Sequence, residues 1–261
     1  MGNQSKKHAT VTDNSVFDFD AVFDPDNYLY FYERIIGKER TAREVDFLVK
    51  RLGLSSPMKI LDLACGHGRH ANRLAELGHF IVGVDINRGF LKIAKGDASE
   101  RRLNVKYVLG DMRAIPCNSG FDRVLFLATA MGYFNDADNL TVLKNIATVL
   151  KPQGLFCVDT WNRDLLLRNF HPYTVVEKEG NFMIDRRSFD SKTGRLRIDR
   201  IYLREGKRTD APFPVRLYNF TEMRDLLKTA GLCIHAAYGD WDGRPFTTRS
   251  SLMIIVAKRG E

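Results

Sequence analysis

The chain has 261 residues, of which 44% are hydrophobic and 28% are charged, so it can bury a sizeable core in one domain plus an insertion. No apolar run approaches the roughly 20 residues that span a bilayer, and the polar start is unlike a secretory signal, so we expect a cytoplasmic protein without a membrane anchor. The formal net charge of +8 is compatible with an anionic partner but does not identify one.

An aromatic and acidic segment precedes the first predicted strand. Phe17, Phe19 and Phe23 alternate with aspartates and lead into a predicted helix over residues 28–52. We therefore expect residues 1–57 to form an N-terminal arm and lid helix. The alternative is that these aromatic side chains only pack the helix onto the sheet.

A glycine turn follows the first predicted strand, in the stretch Ile60-Leu-Asp-Leu-Ala-Cys-Gly-His-Gly-Arg-His70. Gly66 and Gly68 lack a Cβ, so the backbone can turn tightly, approach a ligand and direct the N–H groups of the next helix toward it. The second predicted strand ends at Asp85, roughly 20 residues later, where a ribose-binding carboxylate belongs in a doubly wound sheet. The pattern predicts a site for a nucleotide-type cofactor.

Strands and helices keep alternating after Asp85. A third strand ends at Asp111, just before Met112, and a terminal hairpin is predicted from runs at 232–238 and 251–257. Such alternation is typical of a mostly parallel sheet with right-handed crossovers. The fourth and fifth strands are predicted over 121–126 and from residue 150, and helices over 68–77, 88–98, 137–150 and 220–230.

The hydrophobic pattern changes to period two between residues 172 and 216. Three alternating runs are separated by turns at 179–181 and 192–194, which predicts a small antiparallel β insertion after the fifth strand. Residues 173–216 hold eleven Lys and Arg against seven Asp and Glu, so 11 − 7 gives an excess of +4. Alternating charges on a strand are usually its solvated face, although a basic patch can also bind RNA.

The glycine turn taken alone does not identify the cofactor. Gly66-x-Gly68-x-x-Ala71 matches the permissive dinucleotide fingerprint, so an NAD(P)-dependent oxidoreductase is one alternative. Nearly sixty residues before the first strand, a third strand that ends in an acid, and the terminal hairpin argue against it.

These motifs together resemble those of the class I S-adenosylmethionine-dependent methyltransferases. Residues 61–68 look like the family's first motif, Val84-Asp85 like its second and Gly110-Asp-Met112 like its third. The resemblance implies a Rossmann-like, doubly wound α/β fold with a mostly parallel seven-stranded sheet and a C-terminal antiparallel hairpin. Ala64 departs from the pattern, because it stands where the family usually has glycine.

The resemblance also implies the cofactor, S-adenosyl-L-methionine, with S-adenosyl-L-homocysteine as product. The backbone around Ala64 and Gly66 would face the methionyl portion, and Asp85 would accept hydrogen bonds from both ribose hydroxyls. Ile86 would pack on the adenine, whose edge Asp111 and the Met112 backbone would bind. The complete implied set is Tyr28, Tyr32, Asp62, Ala64, Cys65, Gly66, Gly68, Asp85, Ile86, Asp111, Met112 and Leu127.

The expected division of the chain follows from this resemblance. Residues 58–171 and 217–261 would form the methyltransferase domain, and residues 172–216 would cover the substrate pocket. The four cysteines lack metal-type spacing, so we expect no metal site. The expected oligomeric state is a monomer or a homodimer.

We expect methyl transfer to a nitrogen or oxygen of a small-molecule acceptor, with much of the acceleration supplied by proximity. Tyr133, after the fourth strand, and Trp161, after the fifth, are the candidate catalytic residues. Asp159 and Asn162 are further candidates for binding the acceptor or taking its proton.

An RNA methyltransferase and a non-catalytic cofactor-binding protein are further alternatives. The stretch 127–134 contains no proline, whereas adenine N6 methylation usually needs an Asp/Asn-Pro-Pro-aromatic run at that place, where aromatic stacking grips an extruded base. Nucleic acid is therefore the less favoured partner.

Overall fold

The computed structural model describes residues 17–260. Its strands are β1 (Lys59–Leu63), β2 (Phe80–Asp85), β3 (Val105–Leu109), β4 (Phe121–Phe126), β5 (Leu150–Trp161), β6 (Tyr173–Lys178), β7 (Asn181–Asp190), β8 (Arg195–Arg204), β9 (Lys207–Asp210), β10 (Phe213–Arg216), β11 (Leu232–Tyr238) and β12 (Leu252–Arg259). Its α-helices are α1 (Phe19–Val22), α2 (Pro25–Ile36), α3 (Lys38–Leu52), α4 (Arg69–Glu76), α5 (Arg88–Glu100), α6 (Asp136–Val149), α7 (Arg163–Arg168) and α8 (Phe220–Thr229).

The larger sheet has seven strands in the order β11-β12-β5-β4-β1-β2-β3. Strands β1 to β5 run parallel, and helices α4, α5 and α6 return the chain from β1 to β2, from β2 to β3 and from β4 to β5. Strand β12 pairs antiparallel with β5, and β11 pairs antiparallel with β12. This arrangement brings the carboxyl ends of β1, β2 and β4 to one edge of the sheet.

The core lies on both faces of this sheet, because successive strand residues point to opposite sides. Leu61 and Val124 pack in a cluster with residues of α6 and α8. Ile60 and Leu125, their neighbours in sequence, pack in a second cluster with residues of α3, α4 and α5. The β1 and β4 strands are therefore apolar on both faces, as buried parallel strands usually are.

The insertion is a separate antiparallel sheet in the order β10-β8-β7-β6, with β9 also paired to β8. A third apolar cluster joins its inner face to the N-terminal arm. Val22 of α1 and Phe31 of α2 lie in this cluster with Ile198, Tyr202 and Phe213 of the insertion. Helix α2 begins where Asp24 caps Pro25, since the Asp24 carboxylate accepts the N–H of Asn27.

The predicted fold class is confirmed: a mostly parallel, doubly wound seven-stranded sheet carries an antiparallel C-terminal hairpin and a small antiparallel insertion. Predicted helices 68–77, 88–98, 137–150 and 220–230 correspond to α4, α5, α6 and α8. The division into an arm (1–57), a methyltransferase domain (58–171 and 217–261) and an insertion (172–216) stays a prediction, and residues 1–16 of the arm lie outside the described residues.

Two predictions about elements are wrong. The single helix expected over 28–52 is two helices, because Gly37 adopts an extended backbone with φ −61° and ψ 163° that ends α2. The insertion has five strands rather than three, since β9 and β10 are too short to show a clear alternation. Within residues 17–260, no helix is long and apolar enough to cross a membrane.

Candidate active site

A cavity of about 500 Å³ lies at the carboxyl ends of β1, β2 and β4, the usual ligand position in an open α/β sheet. Most residues of the stretch 62–70, together with some from 85–90 and 127–133, line it from the sheet side, and the arm lines it from above. A smaller cavity of about 30 Å³ adjoins the ends of β2 and β3. Phe19, Ala64, Asp85, Ile86 and Met112 border both cavities.

The predicted glycine turn forms the floor of the larger cavity. Ala64 and Gly66 have φ 56° and 54°, and Gly68 has φ 78°, all in the left-handed region that favours glycine. A Cβ at Gly66 would meet nothing within 4 Å, so its Cα faces open space. A Cβ at Gly68 would come within 2.8 Å of Ala94 Cβ and would overlap the Tyr107 hydroxyl. Gly66 therefore keeps the cavity open, and Gly68 allows close packing against Ala94 and Tyr107.

Asp85 lies at the end of β2 with its carboxylate fixed by the backbone. One oxygen accepts the Gly66 N–H at 2.7 Å and the other accepts the Asn87 N–H at 2.8 Å. Burial raises the pKa of Asp85, and these N–H donors oppose the rise. A carboxylate offers about four lone-pair sites, so the oxygens can still accept from a ligand.

Asp62 lies at the end of β1, is only 2% exposed and lines the same cavity. Its Oδ2 atom has no hydrogen-bond partner among the described residues. Burial raises the pKa of Asp62 to about 7, with the nearby Asp85 adding to the rise and Arg69 opposing it. A buried polar atom without a partner is costly, and a donor group on a ligand would satisfy it.

A buried ion-pair network lies behind the glycine turn and joins α3 to α4. Glu44 binds Arg69, Arg40 at 2.8 Å and His70 Nε2 at 2.8 Å, and Arg69 also donates to Thr41 Oγ1 at 3.1 Å. Burial alone would raise the pKa of Glu44, but these partners lower it to about 2. Arg69, which lines the cavity, is thereby held in place by a permanent negative charge.

The arm contributes an aromatic wall. Tyr28 lines the cavity and contacts Phe90 edge-on, with ring centroids 5.2 Å apart. Tyr32 stacks on Tyr28 at 4.7 Å and lies 5.6 Å below the Arg200 guanidinium, but it is not among the cavity-lining residues. Of the two tyrosines predicted to reach the cofactor, only Tyr28 borders the cavity; Tyr32 supports it from behind.

The loop after β4 forms the opposite wall and has an unusual backbone. Ala128 and Thr129 have φ 60° and 57°, which is strained for a β-branched residue such as threonine. Asp159 of β5 holds them there, since its carboxylate accepts the Ala128 N–H at 2.7 Å and the Thr129 N–H at 3.3 Å. Burial raises the pKa of Asp159 to about 7. Asp159 itself does not line the cavity.

The two predicted catalytic residues occupy different environments. Tyr133 lines the cavity between Phe17, Phe19 and Phe23, and burial raises its pKa well above the ordinary value of a phenol. Trp161 packs with the third apolar cluster and is not among the lining residues. The structure therefore brings Tyr133, but not Trp161, to the cavity.

Asn162, another candidate site residue, has a structural role. Its side chain donates to the carbonyls of Thr247 at 3.1 Å and Ser250 at 2.8 Å, and it accepts the Asp164 N–H at the start of α7. These bonds join the end of β5 to the loop before β12. No cavity-lining role remains for it.

The remaining predicted cofactor residues lie together at the sheet edge. Ala64, Cys65, Gly66, Ile86, Met112 and Leu127 line the larger cavity, and Asp111 lines the smaller one. Asp111 forms a bidentate ion pair with Arg113, whose Nη2 donates to Oδ2 at 2.6 Å and whose Nε donates to Oδ1 at 3.1 Å. Gly68, as described above, packs away from the cavity against Ala94 and Tyr107.

Sequence reasoning missed several lining residues. His67 stands between the two glycines, and Arg69 and His70 follow Gly68 at the start of α4, so their place in the same stretch was the available signal. Burial, together with the charge of Arg69, lowers the pKa of His67 to about 4, and the ring is neutral near pH 7. Among the described residues there is no group of three metal-ligating side chains.

A family model described as a methyltransferase domain matches residues 60–154. The demethylmenaquinone methyltransferase of Lactococcus lactis is 36% identical over 118 residues, which are 43% of this chain and 46% of that protein, so the chain spans about half its length. The cypemycin N-terminal methyltransferase of a Streptomyces species is 28% identical over 217 residues, covering 77% of this chain and 82% of that protein.

Solved structures share the fold over most or all of the chain at low identity. The CcbJ methyltransferase of Streptomyces caelestis has a TM-score of 0.79 at 21% identity and covers 93% of this chain and 100% of its own. The sugar N-methyltransferase KedS8 of a Streptoalloteichus species has a TM-score of 0.66 at 21% identity, with 100% of both chains covered. The S-adenosylmethionine-bound amino pentose methyltransferase CalS10 of Micromonospora echinaspora has a TM-score of 0.62 at 19% identity, with 85% and 91% covered.

Proposed function

Because this chain belongs to the class I S-adenosylmethionine-dependent methyltransferases, we propose that it transfers the methyl group to a nitrogen or oxygen of a small molecule held in the larger cavity. The observation that carries the proposal is the cleft at the ends of β1 and β2. There Gly66 faces open space beside the backbone-anchored Asp85 carboxylate. Two neighbours of the same fold are an amino pentose methyltransferase and a sugar N-methyltransferase, which supports a small acceptor.

The residues around the cleft fit the cofactor chemically. Asp62 Oδ2 is buried without a partner, and a carboxylate there suits the ammonium group of a methionyl portion. The free lone pairs of Asp85 suit a pair of ribose hydroxyls. Gly66 leaves room that a Cβ would fill.

We assign the other roles to the same set of residues. Ile86, Asp111 and the Met112 backbone would hold the adenine, and Leu127 would lie beside the cofactor. Tyr28, backed by Tyr32, would reach the carboxylate of the methionyl portion, next to Ala64 and Cys65. When bound, S-adenosylmethionine supplies a methyl group on a positively charged sulfur, which is already a good leaving group.

The chain's own task is to place the acceptor and exclude water. The aromatic side chains of the arm and Phe90 surround the cavity with apolar surface, and holding two reactants in line supplies much of the acceleration. The raised pKa of Tyr133 keeps it a neutral phenol. Tyr133 therefore orients the acceptor by a hydrogen bond rather than by taking its proton.

Ligand-dependent unfolding tests the proposal. A ligand at about 100 times its dissociation constant stabilises a protein by roughly 2.7 kcal/mol, so S-adenosylmethionine and S-adenosylhomocysteine should raise the unfolding temperature and NAD and NADP should not. Asp85→Ala should abolish this shift. Asp225→Ala, which changes an exposed carboxylate on α8, should preserve it.

Each contrary result has a definite meaning. A shift with NAD or NADP alone would favour an oxidoreductase. Normal cofactor affinity in Asp85→Ala would overturn the assignment of the ribose contact. Cofactor binding without methylation of any amine, phenol or RNA would support a non-catalytic binding protein.

A further inference from the structure

The insertion sheet presents an apolar outer face to solvent. Residues directly opposite each other on neighbouring strands share a face, and the register pairs Val175 with Ile184 and Ile184 with Ile201. Val175 is 59% exposed, and Leu203 in the adjacent row is 37% exposed. Contiguous exposed apolar patches can mark interaction surfaces.

The two outer edges of this sheet differ in character. On one side β9, with the sequence Lys-Arg-Thr-Asp, is exposed and charged, which discourages another strand from pairing with it. Strand β10 continues the same edge, but it is largely buried and its Arg216 N–H already donates to the Gly132 carbonyl. On the other side β6 has no strand beyond it among the described residues. Tyr173 is 62% exposed and Val176 37% exposed on this edge. Only β6 is therefore suited to accept another strand.

The hydrogen-bonding groups of β6 that face outward can be identified. Lys178 pairs with Asn181 across a two-residue turn, Glu179-Gly180, in which both residues have positive φ, so this closing pair is hydrogen-bonded. The alternation of an antiparallel ladder then directs the backbone groups of Val176 and Thr174 toward β7. The Arg187 N–H donates to the Pro172 carbonyl at 2.7 Å, in agreement with this alternation.

The backbone groups of Tyr173, Val175 and Glu177 consequently point to the open edge. These residues are evenly spaced, so a second copy of β6 turned by a two-fold axis at Val175 can bond to them all. Tyr173 would face Glu177 of the other copy, and Val175 would face Val175. This register forms about six backbone hydrogen bonds and places no like charges opposite each other.

We propose that β6 is a dimerisation edge, at which two copies of this chain join their insertion sheets in antiparallel fashion about a two-fold axis at Val175. The apolar row of Ile201, Ile184 and Val175 then continues without interruption into the same row of the partner. A two-fold contact of this kind uses the same surface on both copies and closes on itself. The charged end of β6 does not interfere, because Lys178 is bound to Glu33 of α2. The inference is independent of the reaction that the cavity supports.

Sedimentation velocity of the full chain over a wide range of concentration tests the proposal. The wild-type protein should dimerise, and Val175→Lys should be monomeric, because two like charges would meet at the axis. Leu203→Lys is the matched control: it adds the same charge to the same face, away from the axis, and should still dimerise. Each substitution replaces a side chain that is at least 37% exposed, so the fold should survive, as circular dichroism can verify.

A cross-link identifies the register. In an antiparallel hydrogen-bonded pair the Cα atoms are about 5.5 Å apart, which a disulfide can span. Val175→Cys, in a background where the exposed Cys233 is changed to serine, should give a covalent dimer on mild oxidation, whereas Leu203→Cys should not. A wild-type protein that stays monomeric at every concentration would overturn the proposal. A dimer that Leu203→Lys breaks and Val175→Lys does not would also overturn it, in favour of face-to-face stacking.

Discussion

Gly66 and Gly68 are separated by a single residue and both have positive φ, yet their surroundings differ. A methyl group at Gly66 would project into open space, whereas one at Gly68 would collide with Ala94 and Tyr107. The side chain of Tyr107 is fixed, since its hydroxyl donates to Asn72 Oδ1 at 2.6 Å. Gly66 therefore leaves room for a ligand, whereas Gly68 allows close packing of the chain.

Alanine should have different effects at the two positions. Gly66→Ala should cost about 1–2 kcal/mol of stability for the left-handed backbone and should sharply weaken S-adenosylmethionine binding. Gly68→Ala should lower stability further, by about 1–3 kcal/mol of overpacking in addition. Urea unfolding and isothermal titration calorimetry measure the two effects. Equal loss of stability in both variants would contradict this division.

Asp62 gives the ligand-free protein a pH-dependent stability. Its pKa of about 7 in the folded protein lies above the ordinary value of about 3.9 that applies to the unfolded chain. The stabilisation that this group contributes is therefore complete below about pH 4 and is lost as the pH rises through about 7.

Asp62→Asn should remove this dependence. The free energy of unfolding of the wild type should fall relative to the variant between about pH 4 and 7, by at most about 1.4 kcal/mol per pH unit. Urea unfolding of both proteins across this range measures the difference. Parallel pH profiles would mean that Asp62 ionises normally in the folded protein.

At the scale of elements, the loop after β4 is held between two strands. Asp159 of β5 accepts its strained N–H groups, and on the other side the Arg216 N–H of β10 donates to the Gly132 carbonyl at 2.8 Å. None of residues 172–216 lines the larger cavity. The insertion instead fixes the loop on which Tyr133 stands.

Asp159→Asn should loosen this loop. An amide has one acceptor oxygen, so one strained N–H would lose its partner at a cost of about 1–3 kcal/mol. Turnover should fall while cofactor affinity changes little. Asp190→Asn, which alters a carboxylate that accepts a backbone N–H in an exposed turn, should leave turnover unchanged. Steady-state kinetics and calorimetry compare the variants. Normal turnover in Asp159→Asn would show that catalysis does not require both hydrogen bonds from the loop to Asp159.

The elements near the cleft were predictable because their signals are local. The apolar strand ending in Asp85 and the glycine turn each occupy a few consecutive residues. The break at Gly37 was not predictable, since its neighbours have an uninterrupted helical pattern. The displacement of Trp161 and Tyr32 from the cavity depends on packing against the insertion, more than a hundred residues from Tyr32 in sequence. Contacts between residues so far apart in sequence cannot be predicted from a local pattern.

At the scale of the whole molecule, the net charge of +8 is not the charge of the cavity. The charged residues that line the cavity are four aspartates and two arginines: Asp18, Asp20, Asp62, Asp85, Arg69 and Arg113. This excess of acidic residues suits a cationic ligand better than a polyanion. Several basic residues of the insertion are paired with acids of their own sheet. Arg186 and Arg197 bind Asp199, and Arg200 binds Asp185.

RNA should therefore bind weakly. Fluorescence anisotropy with a labelled single-stranded RNA should show little binding at physiological salt. Combined substitution of Arg186, Arg187, Arg197 and Arg200 should change it only slightly. Tight binding that weakens steeply with salt and disappears in this variant would instead support an RNA substrate.

The position of Phe19 has a kinetic consequence. Its ring borders both cavities, so a ligand with one end in each must move it aside. The short helix that carries Phe19 is tethered at its far end, where the Phe23 carbonyl accepts from Asn87 at 2.9 Å and the Val22 carbonyl accepts from Tyr202 at 3.4 Å. We expect any opening to be a rotation about that tether. The observed dissociation constant would then be the intrinsic one divided by the fraction of open molecules, and opening of the arm would limit the rate of cofactor association.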